Sequence, residues 1–177
     1  MEHGSEPIKR WHVYILIGLV FGVLDWFYLD WLSRGLGPNL GENPFIVIPI
    51  MIALNYGIWV VPIIPVVIYE ARRAEHIKSV MLAGILTWCC ALFGYYTYYA
   101  SLLSFGKLPH LAHLNLFGGR YAGFWRDYWA MFKRVILFQF LEWIPIAVIG
   151  GGVMAALAWW LLRKHLTQSG DSQPVVR

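Results

Sequence analysis

Four apolar runs, each long enough to cross a bilayer as a helix, decide most of what this chain can fold into. They extend from about Trp11 to Leu32, Pro44 to Tyr69, Val80 to Phe105 and Val135 to Leu162. A hydrocarbon core of ~30 Å takes about 20 helical residues. Backbone groups surrounded by lipid must be satisfied within their own segment, which selects helices, and the strict alternation of a barrel strand is absent. Composition points the same way. Of 177 residues, 59% are hydrophobic and 14% charged, more apolar surface than a soluble domain of this size can hide. The expected fold is an all-α integral membrane protein, a four-transmembrane-helix bundle.

The ends of the runs carry suitable markers. Lys9 and Arg10 precede the first, and Pro44 sits in the first turn of the second, where its missing N–H costs nothing. Arg72 and Arg73 follow the second, and Arg163, Lys164 and His165 end the fourth. Residues 1–165 are therefore expected to form one transmembrane domain, followed by a polar, disordered tail over 166–177. The first run is too long for a signal-peptide core and lacks a small-x-small cleavage site, so it reads as an uncleaved anchor.

Basic residues suggest an orientation. The N-terminus, the second-to-third loop and the C-terminus hold Lys9, Arg10, Arg72, Arg73, Lys78, Arg163, Lys164 and Arg177. The other side holds Arg34, Lys107, Arg120, Arg126, Lys133 and Arg134, five of them in one long connection. Short loops weigh most in this rule, which places both termini in the cytoplasm. The net charge of +4 lies mostly at the ends of apolar runs and is a membrane-anchoring pattern, not a nucleic-acid footprint.

The long connection, Gly106 to Arg134, mixes aromatic and basic residues, a composition suited to the headgroup region. Trp125, Tyr128, Trp129 and Phe132 fall at i, i+3, i+4 and i+7. This spacing predicts a short amphipathic helix on the outer surface between helices 3 and 4.

Polar residues within membrane spans are costly and mark function or packing. Asp25 lies about eight residues before the outer end of the first run, and Glu142 about eight after the outer start of the fourth. At 1.5 Å per residue both sit roughly 10–12 Å below the outer interface. Asn55, the tyrosines Tyr95, Tyr96, Tyr98 and Tyr99, and Gln139 occupy comparable depths. Gly18 and Gly22 share the Asp25 face of the first run and permit close helix approach, which would turn Asp25 towards a neighbour. These residues outline an outward-facing polar pocket with Asp25, Asn55, Tyr95, Tyr98, Tyr99, Gln139 and Glu142 as candidate ligand- or ion-binding groups. Two carboxylates at one depth would share a proton or hold a cation; the bland alternatives are hydrogen-bonded packing or contact with a partner subunit.

Other chemistry is thinner. His110 and His113 form a His-x-x-His pair beyond the third run, a candidate for Zn or Cu that lacks further ligands. Cys89-Cys90 resembles, in local chemistry alone, the vicinal pair of small mercury-transport membrane proteins; the helix that carries it does not match, and buried cysteines generally act as small hydrophobes. Intramembrane haem is not expected, because the runs hold no axial histidine except His12 at the edge of the first. No Walker motif, nucleophile elbow or zinc-protease signature occurs.

The sequence thus supports three expectations. The first is a membrane protein that binds or conducts a small solute or ion through the polar pocket, as a homo-oligomer or beside other membrane subunits. The second is a non-catalytic accessory subunit of a larger membrane complex. The third is a membrane-embedded enzyme using Asp25 or Glu142 for acid–base work, with metal at His110 and His113. Pro49, Pro62, Pro65, Pro145 and the Gly150-Gly151-Gly152 run allow bends in two of the helices that would flank the pocket.

Overall fold

A computed structural model describes residues 7–35, 44–73, 76–105 and 123–170. Six α-helices account for nearly all of them: α1 (Pro7–Gly35), α2 (Pro44–Gly57), α3 (Ile63–Ala71), α4 (Ile77–Ser104), α5 (Phe124–Met131) and α6 (Phe138–Gly170). A 3₁₀ turn, Ile58–Val60, joins α2 to α3, and a π-helical segment, Phe132–Leu137, joins α5 to α6. There is no strand among the described residues. Four helical stretches are long and apolar enough to cross a membrane: Arg10–Leu32, Phe45–Ala71, Ile77–Ser104 and Phe124–Lys164.

The central helix is α4, packed along its length on α1 and on α6, with α3 wedged against α4 and α6. Small residues set these distances. A Cβ on Gly18 or Gly22 would run into the backbone carbonyls of Thr87 and Ala91 on α4. A Cβ on Gly84 would meet Ala155 Cβ at 2.6 Å and the Gly151 carbonyl at 2.7 Å on α6. Where lipid and protein interior are equally apolar, close backbone approach of this kind supplies the dispersion contacts that hold helices together. Gly151 therefore serves as packing surface, and α6 continues through both the glycine run and Pro145.

The polarity of the bundle is turned inside out. Asp25, Glu70 and Thr87 are buried, whereas Leu16, Val20, Leu24, Phe27 and Trp31 form an exposed stripe along α1. Ile149, Val153, Leu157 and Trp160 do the same on α6. A soluble monomer does not display apolar surface on this scale. In a bilayer it faces its own solvent.

Arg10, Arg73, Arg163 and Lys164 lie over the rings of Trp11, Tyr69, Trp159 and Trp160 respectively. They gather the start of α1 and the ends of α3 and α6 at one end of the bundle, here called the basic end. Aromatic rings paired with cations are suited to a membrane–water interface.

Three elements depart from the sequence expectation. The second run, expected as one span from Pro44 to Tyr69, is a broken helix. Pro62 has no N–H to offer the Ile58 carbonyl and crowds the preceding turn; that carbonyl instead accepts the Val61 N–H at 3.0 Å. The next carbonyl, of Trp59, accepts the Trp88 indole N–H at 2.6 Å. The aromatic segment does form a helix, α5, but Phe124 and Tyr128 are its buried residues while Trp125 and Trp129 are exposed. The Tyr128 hydroxyl donates to the Ala100 carbonyl at 3.3 Å, so α5 packs over the far end of α4 and feeds through the π segment into α6. The helix α6 also extends to Gly170, past Leu162. Residues 171–177, and His110 and His113, lie outside the described residues.

Candidate functional site

On the N-terminal side of the break at residues 58–62, the chain stands away from the bundle. Helix α2 has only sparse contact with α1, α4 and α6, and Phe45, Ile46, Ile48, Ile50 and Ile52 are all exposed. It is held near its C-terminal end. The Tyr28 hydroxyl on α1 donates to the Leu54 carbonyl at 3.1 Å, and the ring of Tyr56 meets that of Trp143 on α6 at 6.0 Å. Between α2 and the α1–α4–α6 wall lies a cavity of about 970 Å³, at the large end of the range for small-molecule sites.

Five of the seven candidate residues line it: Asp25 from α1, Asn55 from α2, Tyr95 from α4, and Gln139 and Glu142 from α6. Tyr98 and Tyr99 do not. Tyr99 is on the Tyr95 stripe one turn further along, where the cavity has ended; it stacks on Trp26 at 5.2 Å and is fully buried. Tyr98 points further round α4 and meets Phe27 at 5.5 Å. Both tyrosines belong to the α1–α4 contact. Tyr96, two residues before Tyr98, takes a place in the cavity wall.

Asp25 occupies the back of the cavity. It is 2% exposed, and neither carboxylate oxygen has a hydrogen-bond partner among the described residues. Gly22, one turn earlier, brings α1 against Ala91 and Tyr95, which explains why Asp25 is driven inwards. Glu142 is exposed and stands at the mouth. Because Ile48, Ile52, Tyr56 and Ile146 also both line the cavity and are exposed, the opening is lateral, between α2 and α6, and faces sideways out of the bundle.

The walls are mostly apolar and aromatic. Trp59, Trp88, Trp143 and Tyr56 join Tyr95 and Tyr96 around the space, and no Lys, Arg or His lines it among the described residues. The sequence reading missed this aromatic wall. A signal was present: Trp59, Trp88 and Trp143 sit in the middle of their runs, away from the interfacial positions tryptophan favours. Mid-span placement of an amphipathic ring is a sign of an internal surface.

Glu70 was also missed. It is fully buried at the basic end, bonded by Tyr14 and by Ser79 at 3.2 Å, with Arg10 at 3.7 Å. Cys89 and Cys90 are free thiols, half-buried. No group of three His, Cys, Asp or Glu among the described residues is placed to hold a metal ion. No protein-family model, curated protein or solved structure matches this chain, so its chemistry is argued from the cavity.

Proposed function

We propose that this chain is a multi-pass membrane protein that binds a small solute in the cavity between α2 and the α1–α4–α6 wall. The observation that carries this reading is Asp25: a carboxyl group that is 2% exposed, without a hydrogen-bond partner among the described residues, at the back of a space of about 970 Å³. A buried charge or polar group left unmatched costs several kcal/mol, roughly 1–3 even for a neutral group. A ligand that meets it recovers that cost. The packing alternative requires Asp25 to bond its neighbours, and it lacks such bonds. Asn55, Gln139 and Glu142 supply further polar groups to orient a solute, and the apolar wall supplies burial.

A second reading has its own observation. Helix α2 exposes large apolar side chains on most of its surface, as it would if an unlike subunit packed against it. Native mass spectrometry of protein extracted gently from its own membrane separates the two. A small molecule bound in fixed ratio, and lost from a Met51→Trp variant that fills the cavity from the α2 side, supports solute binding. Unlike subunits in fixed ratio, with no small molecule, would overturn it in favour of an accessory subunit.

A further inference from the structure

Resting on the solute-binding reading, we infer that the ligand is an amphiphilic organic cation: an ammonium or phosphonium centre carried on an apolar body, entering sideways from the bilayer. Charge is the first argument. The cavity has a carboxyl group at its back, Asp25, and another at its mouth, Glu142, and no basic residue in its lining among the described residues. An anion would meet two like charges and no counter-charge among them. A cation meets one carboxylate on entry and a second, unpartnered one at the end of its path.

The walls decide between kinds of cation. A hard metal ion is held by six to eight oxygens at short range, and this lining is dominated by hydrocarbon and rings, with no three-residue metal cluster among the described residues. The rings of Trp59, Trp88, Trp143 and Tyr95 suit a diffuse organic cation instead, whose charge is attracted to a ring face and whose apolar body packs on the hydrocarbon. Trp59 and Trp88 are fixed in a T-shaped pair at 5.9 Å, locked by the Trp88 bond to the Trp59 carbonyl, so this part of the wall is preformed.

Access is the third argument. The opening lies between Ile48 and Ile52 on α2 and Ile146 on α6, all exposed, at the depth of the apolar spans. A solute arriving there comes through lipid and must itself be lipid-soluble. Volume agrees, since about 970 Å³ is far larger than any dehydrated metal ion needs and fits a drug-sized body.

Three probes with similar phenyl bodies test the inference on the full chain in detergent micelles: tetraphenylphosphonium (cation), triphenylphosphine oxide (neutral) and tetraphenylborate (anion), each titrated by calorimetry. The expected result is that the phosphonium binds at least about tenfold more tightly than the other two. Asp25→Asn and the exposed Glu142→Gln should each weaken the phosphonium by about tenfold or more while leaving the phosphine oxide unchanged. The second variant keeps the test valid if the first folds poorly. Equal binding of cation and neutral probe, unaffected by either substitution, would sink the cation class and leave solute binding standing. Failure of all three probes beside a native small molecule that mass spectrometry shows to carry no cationic centre would do the same, whereas a native amphiphilic cation would support the inference. Failure of all three with no native occupant would overturn both readings.

Discussion

The Tyr14 hydroxyl on α1 donates a hydrogen bond to the Glu70 carboxylate on α3, 56 positions later in the chain. Ser79 of α4 donates to the other oxygen and Arg10 stands beside the first, so three helices converge on one fully buried carboxylate. Eleven residues after Tyr14, Asp25 is almost as deeply buried on the same helix and has no bond at all among the described residues. The two carboxyls divide the work. Glu70 is built into the basic end as a joint, whereas Asp25 is left facing a cavity.

The joint has a measurable strength. Removing one partner from a buried carboxylate exposes the remaining group to its desolvation cost, about 1–3 kcal/mol. Tyr14→Phe is therefore expected to destabilise the bundle by about that much, because its ring keeps the contacts with Trp11 and Tyr69 and only the bond is lost. Reversible unfolding in mixed micelles reads this directly. A wild-type unfolding midpoint for Tyr14→Phe would mean that the bond contributes nothing.

Glycine substitutions should separate contact from mere permissiveness. Gly22 lies against the Ala91 backbone, which cannot move aside as a side chain can, while a Cβ on Gly57 would meet nothing within 4 Å. Gly22→Ala is expected to cost about 1–3 kcal/mol by forcing α1 from α4. Gly57 sits in right-handed helical geometry, so Gly57→Ala should be neutral or stabilising by about 0.4–1 kcal/mol. The same unfolding assay applied to both would contradict this account of the α1–α4 contact if the two behaved alike.

How far the sequence disclosed this arrangement depends on which residues are asked. The four apolar stretches follow from hydrocarbon thickness alone, and the pairing of Gly18 and Gly22 with a close neighbour follows from helical phase. Asp25, Asn55, Tyr95, Gln139 and Glu142 meet at one cavity because depth and phase are both readable along a regular helix. Tyr98 and Tyr99 show the limit. Depth places them with Tyr95, but both pack against Trp26 or Phe27 of α1, and a single sequence does not reveal that contact. Pro62 as a bend was legible, whereas the separation of α2 from the bundle was not, since the contacts that hold α2, Tyr28 to the Leu54 carbonyl and Tyr56 to Trp143, come from other helices. Glu70 was hidden for a related reason: its partners come from two other helices.

The four spans carry a topological consequence. An even number of crossings would return both termini to one side, and the positive-inside rule applied to Arg10, Arg73, Arg163 and Lys164, which gather at the basic end, predicts that this side is the cytoplasm. Compartment-sensitive reporters fused before residue 7 and after residue 170 should both be active in the cytoplasm, and one inserted between residues 106 and 122 should be active outside. Reporters at the two termini in different compartments would remove one of the four spans from the membrane.

The break between α2 and α3 sets the position of the cavity wall, and it can be altered from both sides. Pro62→Ala restores an N–H for the Ile58 carbonyl, so the run should become a more continuous helix. Straightening swings α2 relative to α6, and the distance between spin labels at the exposed positions Ile46 and Leu141 should shift accordingly in pulsed dipolar spectroscopy. Trp88→Phe acts the other way. It removes the donor that satisfies the Trp59 carbonyl, leaving a carbonyl short of a partner at a cost of about 1–3 kcal/mol. Amide exchange around Val60 and Val61 should then accelerate by roughly tenfold or more, each tenfold corresponding to about 1.4 kcal/mol of local stability. The two variants should also affect tetraphenylphosphonium binding in step with the wall they move, since Trp59 and Trp88 both line the cavity. An unchanged label distance in Pro62→Ala would mean that proline does not cause the break, and that the position of α2 is fixed instead by the Tyr28 bond to Leu54 and the Tyr56–Trp143 contact.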